Sequence, residues 1–297
     1  MTLGAADGIP ITVIGGYLGS GKTTLLNHAL SSTDRRLGVI VNDFGSLDID
    51  AALLGASTDV VSLANGCLCC TLAGGINRAL ELMAAREPRP DHILIEASGV
   101  ALPNNITNSI TLVGGTVDGI VVLADAERLP ALLVDKYVGH TVAAQLGAAD
   151  IVVLTKTDLV DTDQLATARG LIAENSSVSS VLQASHGNVS VDVLISPPWT
   201  SRSTESAEHE TVLETRSLAV IEPIPLAQVR TWVADLPRGV VRVKGLVPTP
   251  QGIHSVHRVG HRSSVDPTML TAAHGPFGVV VIAEPRVLDD NTFADLG

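Results

Sequence analysis

A glycine-rich segment close to the N-terminus constrains the fold of this chain more than any other feature. It follows an apolar run, residues 11–14, that is typical of a buried strand. It fits the pattern G-x-x-x-x-G-K-[ST] through Gly16, Gly21, Lys22 and Thr23. Glycines allow backbone N–H groups to close around phosphate oxygens, and the N-terminus of a following helix adds a favourable dipole. The segment predicts a loop that binds the phosphates of a nucleotide.

Three polar side chains and one glycine are predicted to act on those phosphates. Lys22 is placed to reach the β- and γ-phosphates, and the Thr23 hydroxyl to ligate Mg²⁺. Glu96 and Gly99 end another buried strand, where a carboxylate can hold Mg²⁺ and a glycine N–H can bond the γ-phosphate. Asp125 ends a neighbouring strand and is a competing acid, although a turn or helix cap is the favoured interpretation for it.

Short apolar strands alternate with helical patterns through the first part of the chain. This alternation is typical of parallel βαβ units, and it predicts an α/β domain whose mostly parallel sheet is covered by helices on both faces. The motifs lie at the carboxyl ends of the strands, where such sheets bind their ligands. Helices are predicted at 22–30, 72–86, 129–148 and 165–173, and strands at 11–14, 37–41, 92–95, 117–123, 151–154 and 178–183. Residues 59–63 form a short apolar segment that leads into the cysteines.

The alternation stops near residue 196, and a polar segment that begins Pro-Pro follows. We therefore predict a P-loop NTPase domain at 1–196, a linker at 197–211 and a smaller α+β domain at 212–297. The second domain is predicted to have a mainly antiparallel sheet, with strands at 214–220, 240–247, 253–259 and 278–283 and a helix at 226–236.

Composition excludes some classes of partner. Of the 297 residues, 45% are hydrophobic and only 2% are aromatic, and the formal net charge is −12. Few aromatic side chains and a negative charge disfavour nucleic acids and anionic membranes as partners. The N-terminal residues lack the pattern of a signal peptide, and no apolar run is long enough to cross a bilayer, so we expect a cytoplasmic protein.

The segment TKTD, residues 155–158, follows an apolar strand and predicts selection of guanine. A carboxylate at Asp158 can accept both N–H groups of the guanine edge while the Lys156 stem packs on the base, and adenine offers the wrong donors. The alternative is a solvated helix start with Asp158 as its cap, which the phosphate loop upstream makes less favoured. Ser185 is placed to contact the base from its other side, or it is an ordinary turn residue.

All three cysteines of the chain lie within four residues, at Cys67, Cys69 and Cys70. In a reducing compartment such a cluster indicates a metal or redox site rather than a disulfide framework. Three thiolates suit Zn²⁺ or Cu(I), and because Zn²⁺ prefers four ligands, one position is left for water, another side chain or a receiving protein. The alternative is a buried or redox-active thiol cluster.

Three further histidines, His254, His257 and His261, occur close together in the second domain, with His274 beyond them. They could form a second metal site. However, His254 and His257 would point to opposite sides of an extended strand, so surface histidines are the favoured interpretation.

Taken together, the motifs GGYLGSGKTT, VNDFG, NGCLCC, IEASG and TKTD resemble the CobW-like metal-chaperone GTPases, which are related to the nickel-insertion GTPases of urease and hydrogenase maturation. The resemblance extends to the second domain through RVKGLV near Arg242. It implies an enzyme that binds GTP or GDP with Mg²⁺ and hydrolyses GTP slowly. It also implies binding of a transition metal, most simply Zn²⁺, and delivery to a client metalloprotein. We expect a monomer or homodimer.

The resemblance also assigns roles to residues by position. Glu96 and Gly99 serve Mg²⁺ and the γ-phosphate, Lys156 and Asp158 read guanine, and the three cysteines match the metal motif. Lys22, Thr23 and Glu96 are then the expected catalytic residues, and the phosphates are held by Gly16, Gly19, Ser20, Gly21, Lys22, Thr23 and Thr24.

One segment departs from the family pattern. Many members carry glutamates around the Asn and after the Phe-Gly of the second-strand loop, whereas this chain has Val41 and Ser46 there, and only Asp43 is acidic. The fourth metal ligand is therefore open between Asp43, water and a client residue.

Two other functions fit parts of the same pattern. A GTP-dependent activator that inserts cobalt or iron into a specific enzyme, such as a nitrile hydratase or an enzyme of cobalamin synthesis, would carry the same motifs. A P-loop kinase for a small metabolite would need an acceptor pocket and base, and it has no use for guanine selectivity or for a CxCC loop.

Overall fold

The computed structural model describes residues 8–41, 60–62, 72–178, 181–195, 213–268 and 277–296. Contacts divide the chain into two compact units. The first contains Met1–Ser177 and Val181–Leu194, and the second contains Val178–Ser180 and Ile195–Gly297. Each unit has a sheet of its own. The predicted linker at 197–211 lies outside the described residues.

The first unit is built on a seven-stranded sheet in the order β3-β2-β4-β1-β5-β6-β7. Every described pairing in it is parallel, which confirms the predicted α/β fold. The phosphate loop leaves the middle strand, β1, so its neighbours on both sides end close to it. The strands are β1 Pro10–Gly16, β2 Leu37–Val41, β3 Val60–Ser62, β4 His92–Glu96, β5 Thr116–Asp125, β6 Ile151–Thr155 and β7 Val181–Ala184.

The helices of this unit cover the sheet, as the apolar strands require. Residues of β1, β2 and β4 share one core cluster with Ile76, Leu80 and Met83 of α2 and with Ile106 and Ile110 of α3. Burying each such side chain contributes about 1.5–3 kcal/mol. The helices are α1 Lys22–Ser31, α2 Leu72–Ala84, α3 Pro103–Leu112, α4 Leu129–Val134, α5 Gly139–Gly147, α6 Thr162–Asn175 and α7 Val191–Leu194, with a 3-10 turn at Thr157–Leu159.

The single helix predicted at 129–148 is wrong. The structure has two helices there, α4 and α5, separated by a turn at Asp135. The Asp135 carboxylate accepts hydrogen bonds from the backbone N–H groups of Tyr137 (2.8 Å) and Val138 (3.2 Å). Such a local bond competes with helical hydrogen bonding, which explains why an apolar helical pattern is interrupted at this point.

The second unit has a five-stranded sheet in the order β11-β10-β9-β12-β8, and its described pairings are antiparallel, as predicted. Helix α8, Leu226–Asp235, packs on this sheet through Val229, Trp232 and Val233. The Trp232 indole N–H donates to the Thr292 carbonyl (2.7 Å) in the last 3-10 helix, Asp290–Leu296. The strands are β8 Glu214–Ala219, β9 Val240–Thr249, β10 Gly252–Val259, β11 Arg262–Pro267 and β12 Gly278–Ala283.

Among the strands and α-helices, β11, α3 and the four-residue α7 were not predicted. Strand β11 is at the edge of the second sheet and exposes most of its side chains, so its sequence has little apolar alternation. Helix α3 is rich in Asn, Thr and Ser, which have modest helix propensity. Within the described residues, no helix is long and apolar enough to cross a bilayer.

Candidate functional site

The predicted phosphate loop has a backbone that depends on its glycines. Gly16, Gly19 and Gly21 have φ of 129°, 79° and 95°, a region that other residues rarely adopt. At Gly16 a side chain would also collide with the Leu123 carbonyl of the neighbouring strand β5. The loop can therefore follow its tight path only with glycine at these positions.

Two buried polar side chains lie inside this loop. Lys22 is 8% exposed, and its ammonium group donates to the carbonyls of Gly16 (3.0 Å) and Tyr17 (3.5 Å). The buried Ser20 hydroxyl makes no hydrogen bond within the described residues. A buried cation held by carbonyls and a buried hydroxyl together suit the binding of an anion that can exchange with the carbonyls.

The predicted Mg²⁺ ligands meet at the same edge of the sheet. Strands β1 and β4 pair in register through Ile14 and Glu96, which brings Glu96 close to the start of α1. The Thr23 hydroxyl donates to the Glu96 carboxylate at 3.4 Å, and Glu96 is only 2% exposed. A hydroxyl and a carboxylate are oxygen ligands of the kind that Mg²⁺ prefers, so these residues fit that ion.

The segment after β4 lies directly against the phosphate loop. A Cβ placed on Gly99 would be 2.9 Å from the Leu18 nitrogen, so the two backbones touch. The buried Gln145 amide of α5 donates to the carbonyls of Gly99 (3.1 Å) and Ala101 (2.8 Å) and holds this segment in place. Sequence reasoning missed Gln145, and its only signal was a polar residue among the apolar residues of α5.

Lys156, predicted to contact a base, is held by Asp125. Its ammonium lies 2.6 Å from one oxygen of the Asp125 carboxylate, which is 4% exposed. The other oxygen accepts the backbone N–H groups of Glu127 (3.1 Å) and Arg128 (3.3 Å). Asp125 therefore caps a turn and pairs with Lys156, in agreement with the favoured interpretation, rather than lying beside Thr23 as a Mg²⁺ ligand.

The two loops predicted to bind the base are tied to the phosphate loop. The buried Thr155 hydroxyl lies 2.9 Å from the Ser20 carbonyl and 3.1 Å from that of Ala124. Gly187, two residues after Ser185, lies so close to Thr24 that a Cβ would be 3.1 Å from its carbonyl oxygen. Asp158 is exposed at the same edge, in the 3-10 turn after β6. The carboxyl ends of β1, β4, β6 and β7 thus converge.

The predicted transition-metal ligands lie outside the described residues. This applies to Cys67, Cys69 and Cys70 and to the possible ligand Asp43. Among the side chains that the structure does describe, no group of three His, Cys, Asp or Glu residues could hold a metal ion.

Among the described residues, His254, His257 and His261 belong to no group that could hold a metal ion, and His274 lies outside the described residues. His254 is 4% exposed, and its Nδ1 lies 3.2 Å from both the Thr249 hydroxyl and the Gly252 carbonyl. The expectation of surface histidines is therefore wrong for His254, because a polar neighbour on β9 satisfies its ring inside the fold. His257 is half-buried and His261 is exposed.

Comparison with known families agrees with this geometry. Residues 10–182 match the family described as CobW/HypB/UreG, nucleotide-binding domain. The chain belongs to the CobW/HypB/UreG family. The matched region includes the carboxyl ends of β1, β4 and β6, and it stops inside β7, before the end of that strand.

Two curated relatives have zinc in their names. The chain is 36% identical over 219 residues to the zinc chaperone CobW of Sinorhizobium sp, covering 63% of this chain and 62% of the relative. It is 30% identical over 197 residues to the zinc-regulated GTPase metalloprotein activator 1 of Schizosaccharomyces pombe, covering 62% of this chain and 47% of the relative. The matched regions thus span about half to three fifths of these relatives.

One solved structure aligns with nearly the whole chain, at low sequence identity. The Zn(II)-bound YjiA GTPase from Escherichia coli is 20% identical, covers 97% of this chain and 99% of its own, and has a TM-score of 0.45.

Proposed function

We propose that this member of the CobW/HypB/UreG family is a GTP-hydrolysing metallochaperone that binds zinc and delivers it to a client protein. The observation that carries the proposal is the convergence of three groups at one edge of the sheet. These are the glycine loop with its buried Lys22, the Thr23–Glu96 pair, and Lys156 held by Asp125. Phosphate, Mg²⁺ and base recognition are the needs of a guanine nucleotide site.

Each residue of this site has a proposed part in GTP hydrolysis. Lys22 leaves the loop carbonyls to bind the β- and γ-phosphates, and loop amides from Gly19 to Thr24 hold the remaining oxygens. Thr23 and Glu96 hold Mg²⁺, which neutralises charge on the phosphate oxygens when bound. The Gly99 N–H bonds the γ-phosphate, and Gln145 keeps its segment against the loop.

Guanine selection is assigned to Asp158, with the stem of Lys156 and with Ser185 on either side of the base. The exposed Asp158 carboxylate accepts two donors of guanine that adenine does not present. Because Asp125 holds the ammonium of Lys156 at 2.6 Å, the aliphatic stem of that residue has a fixed direction. This arrangement supports GTP over ATP, and it argues against a kinase for a small metabolite.

Zinc is proposed as the cargo, held by the thiolates of Cys67, Cys69 and Cys70. The names of the relatives support zinc over cobalt or iron. A fourth position, filled by water, Asp43 or a client residue, leaves a route for transfer of the ion. The cysteines precede α2 and lie in sequence between two segments expected to respond to the nucleotide, 42–45 and 96–99.

The nucleotide assignment is tested by comparing GTP and ATP affinity. We expect GTP to bind much more tightly than ATP, and Asp158→Asn to erode the preference because an amide replaces one acceptor with a donor. Asp163→Asn, an exposed carboxylate in the first turn of α6, is the matched control and should keep the preference. Equal affinity of the wild type for the two nucleotides would refute the guanine assignment.

The cargo assignment is tested by titrating Zn²⁺, Co²⁺ and Fe²⁺ with GDP and with a non-hydrolysable GTP analogue. We expect one Zn²⁺ per chain, bound more tightly in one nucleotide state, with a coupling of about 1–3 kcal/mol. A variant with serine at all three cysteine positions should lose this binding. Tight binding that survives in that variant, or identical Zn²⁺ affinity in both nucleotide states, would contradict the proposal.

A further inference from the structure

Two cations hold three consecutive carbonyls of the phosphate loop. Lys22 binds the carbonyls of Gly16 and Tyr17, and one guanidinium nitrogen of Arg128, Nη1, donates to the carbonyl of Leu18 at 3.2 Å. Arg128 comes from a different element, the turn between β5 and α4. No sequence motif includes it, and none of the roles proposed above uses it.

The backbone of Arg128 is fixed on both sides. Its N–H donates to the Asp125 carboxylate (3.3 Å), and its carbonyl accepts the Leu132 N–H in α4 (3.0 Å). The other oxygen of the Asp125 carboxylate is paired with the Lys156 ammonium. Among the residues that the structure describes, no carboxylate lies within salt-bridge distance of the Arg128 guanidinium. Its positive charge therefore acts on the loop rather than on a neighbouring acid.

The bond to Leu18 sets the direction of one loop amide. The Leu18–Gly19 peptide is trans, so its C=O and the Gly19 N–H point in opposite directions. A Cβ on Gly19 would lie 3.1 Å from Nη1 of Arg128, so the guanidinium packs beside this residue. With the carbonyl held by Arg128, the Gly19 N–H is directed away from the guanidinium. A charged donor on the carbonyl also polarises the peptide and strengthens its N–H as a donor.

We propose that Arg128 is a positioning residue for GTP hydrolysis, which orients and polarises the Leu18–Gly19 peptide so that the Gly19 N–H binds phosphate. In the reaction the water oxygen bonds to the γ-phosphorus while the bond to the β–γ bridging oxygen breaks. The electron pair stays on the departing GDP, and the water proton goes to the released phosphate. A polarised amide and a nearby positive charge stabilise the charge that develops on GDP. This inference rests on the proposed GTPase function.

The test uses three substitutions that separate hydrogen bond from charge. Arg128→Met removes both, Arg128→Gln keeps a neutral donor, and Arg128→Lys keeps a charged donor. Arg169→Met, at an exposed arginine of α6, is the matched control. For each variant of the full chain, kcat and KM for GTP, the affinity for fluorescent GDP and the Tm are measured.

We expect Arg128→Met to lower kcat about tenfold or more, less than removal of a donor that touches the transition state directly. The affinity for GDP should fall about threefold to tenfold, as for loss of a charge-assisted hydrogen bond that acts through the loop. The Tm should stay close to that of the wild type, since the side chain is exposed. Arg128→Lys should restore more of kcat than Arg128→Gln.

Wild-type kcat and GDP affinity in Arg128→Met would overturn the role of Arg128 while leaving the proposed GTPase intact. Equal recovery by Arg128→Gln and Arg128→Lys would overturn the contribution of charge. A wild-type protein that neither prefers GTP nor hydrolyses it would overturn the proposed function, and this inference with it.

Discussion

Lys22 in the first unit and Arg258 in the second are both buried cations bound to backbone carbonyls, but the two carbonyl sets differ in kind. Lys22 binds two carbonyls of a ligand loop, one of them at 3.5 Å. Arg258, 6% exposed, donates to the carbonyls of Val233 (2.8 Å), Leu236 (3.2 Å) and Gly260 (2.9 Å). In the proposed function, Lys22 exchanges its carbonyls for phosphate, whereas the carbonyls bound by Arg258 belong to the packed second unit.

The chemistry of the two side chains suits this difference. An ammonium is a compact charge on a flexible stem, which can move from carbonyls to a phosphate. A guanidinium is planar and presents several donors in a fixed arrangement, which suits the end of α8 and the turn after β10. Burial lowers the pKa of Arg258 below its usual value, yet the group keeps its proton at neutral pH because the ordinary pKa of arginine lies far above neutrality.

Replacing Lys22 should have the largest effect on GTP turnover of any single substitution proposed. Lys22→Ala is expected to lower kcat for GTP about a thousandfold, because the phosphates lose their buried positive charge. The Tm should change little, since the loop carbonyls can bind water instead. Phosphate release and thermal unfolding, measured on the same preparation, check this. Undiminished turnover would place the reaction elsewhere in the molecule.

Replacing Arg258 should lower the stability of the second unit and leave GTP turnover unchanged. Arg258→Met leaves three carbonyls without their donor and is expected to lower the free energy of unfolding of the second unit by about 3 kcal/mol. Denaturation followed by the fluorescence of the buried Trp232 measures it. Arg230→Met, at an exposed position of α8, is the control. A loss of nucleotide affinity without a loss of stability would break the comparison.

Much of this site was predictable because its residues lie at the carboxyl ends of parallel strands, which can be located in the sequence. Parallel strands place their carboxyl ends at one edge, so the positions of Lys22, Glu96 and Lys156 in sequence implied that they meet. Arg128 and Gln145 were not predictable in this way. Arg128 binds a backbone carbonyl of the phosphate loop, and Gln145 binds carbonyls of the segment after β4. Every residue has a backbone carbonyl, so the accepting residue does not mark such a contact in the sequence.

The errors in the fold have a related origin. The prediction of one helix at 129–148 did not take into account the hydrogen bond that Asp135 accepts through its side chain. The prediction that His254 is a surface residue did not take into account its hydrogen bond with Thr249. In both cases one polar contact overrode a periodic pattern. Periodicity reports which face is buried, but it carries no information on individual hydrogen bonds.

A milder change tests whether the contact of Asp125 with Lys156 contributes to nucleotide binding, as proposed for Lys22. Asp125→Asn keeps an oxygen for the backbone turn but loses the charge that holds Lys156. We expect the affinity for GDP to fall about fivefold, as for loss of one charge-assisted hydrogen bond near the base. Glu127→Gln, at the exposed neighbouring carboxylate, should leave the affinity unchanged. Equal effects of the two substitutions on nucleotide affinity would indicate a general loss of negative charge.

The smallest expected effect concerns Asp289 of the second unit, whose hydrogen bonds, like those of Arg258, belong to the folded unit itself. Hydrogen bonds from the side chain and backbone of Thr292 hold the pKa of Asp289 below its ordinary value of 3.8. The carboxylate is therefore stabilising above pH 3.8, and this contribution is lost as the pH falls through the lowered pKa. The difference in Tm between wild type and Asp289→Ala should narrow on acidification. A difference that is constant with pH would contradict this.

The middle position of β1 has a consequence for the timescale on which the phosphate loop can change. Strand β1 is paired with β5 from Pro10 to Gly16 and, on its other side, with β4 from Ile11 to Ile14. Its amide hydrogens should therefore exchange with deuterated solvent only through unfolding of the whole first unit. We therefore expect the strand that leads into the loop to be among the slowest-exchanging segments of the first unit. Faster deuterium uptake that depends on GTP should begin beyond it, in the segment that follows Glu96.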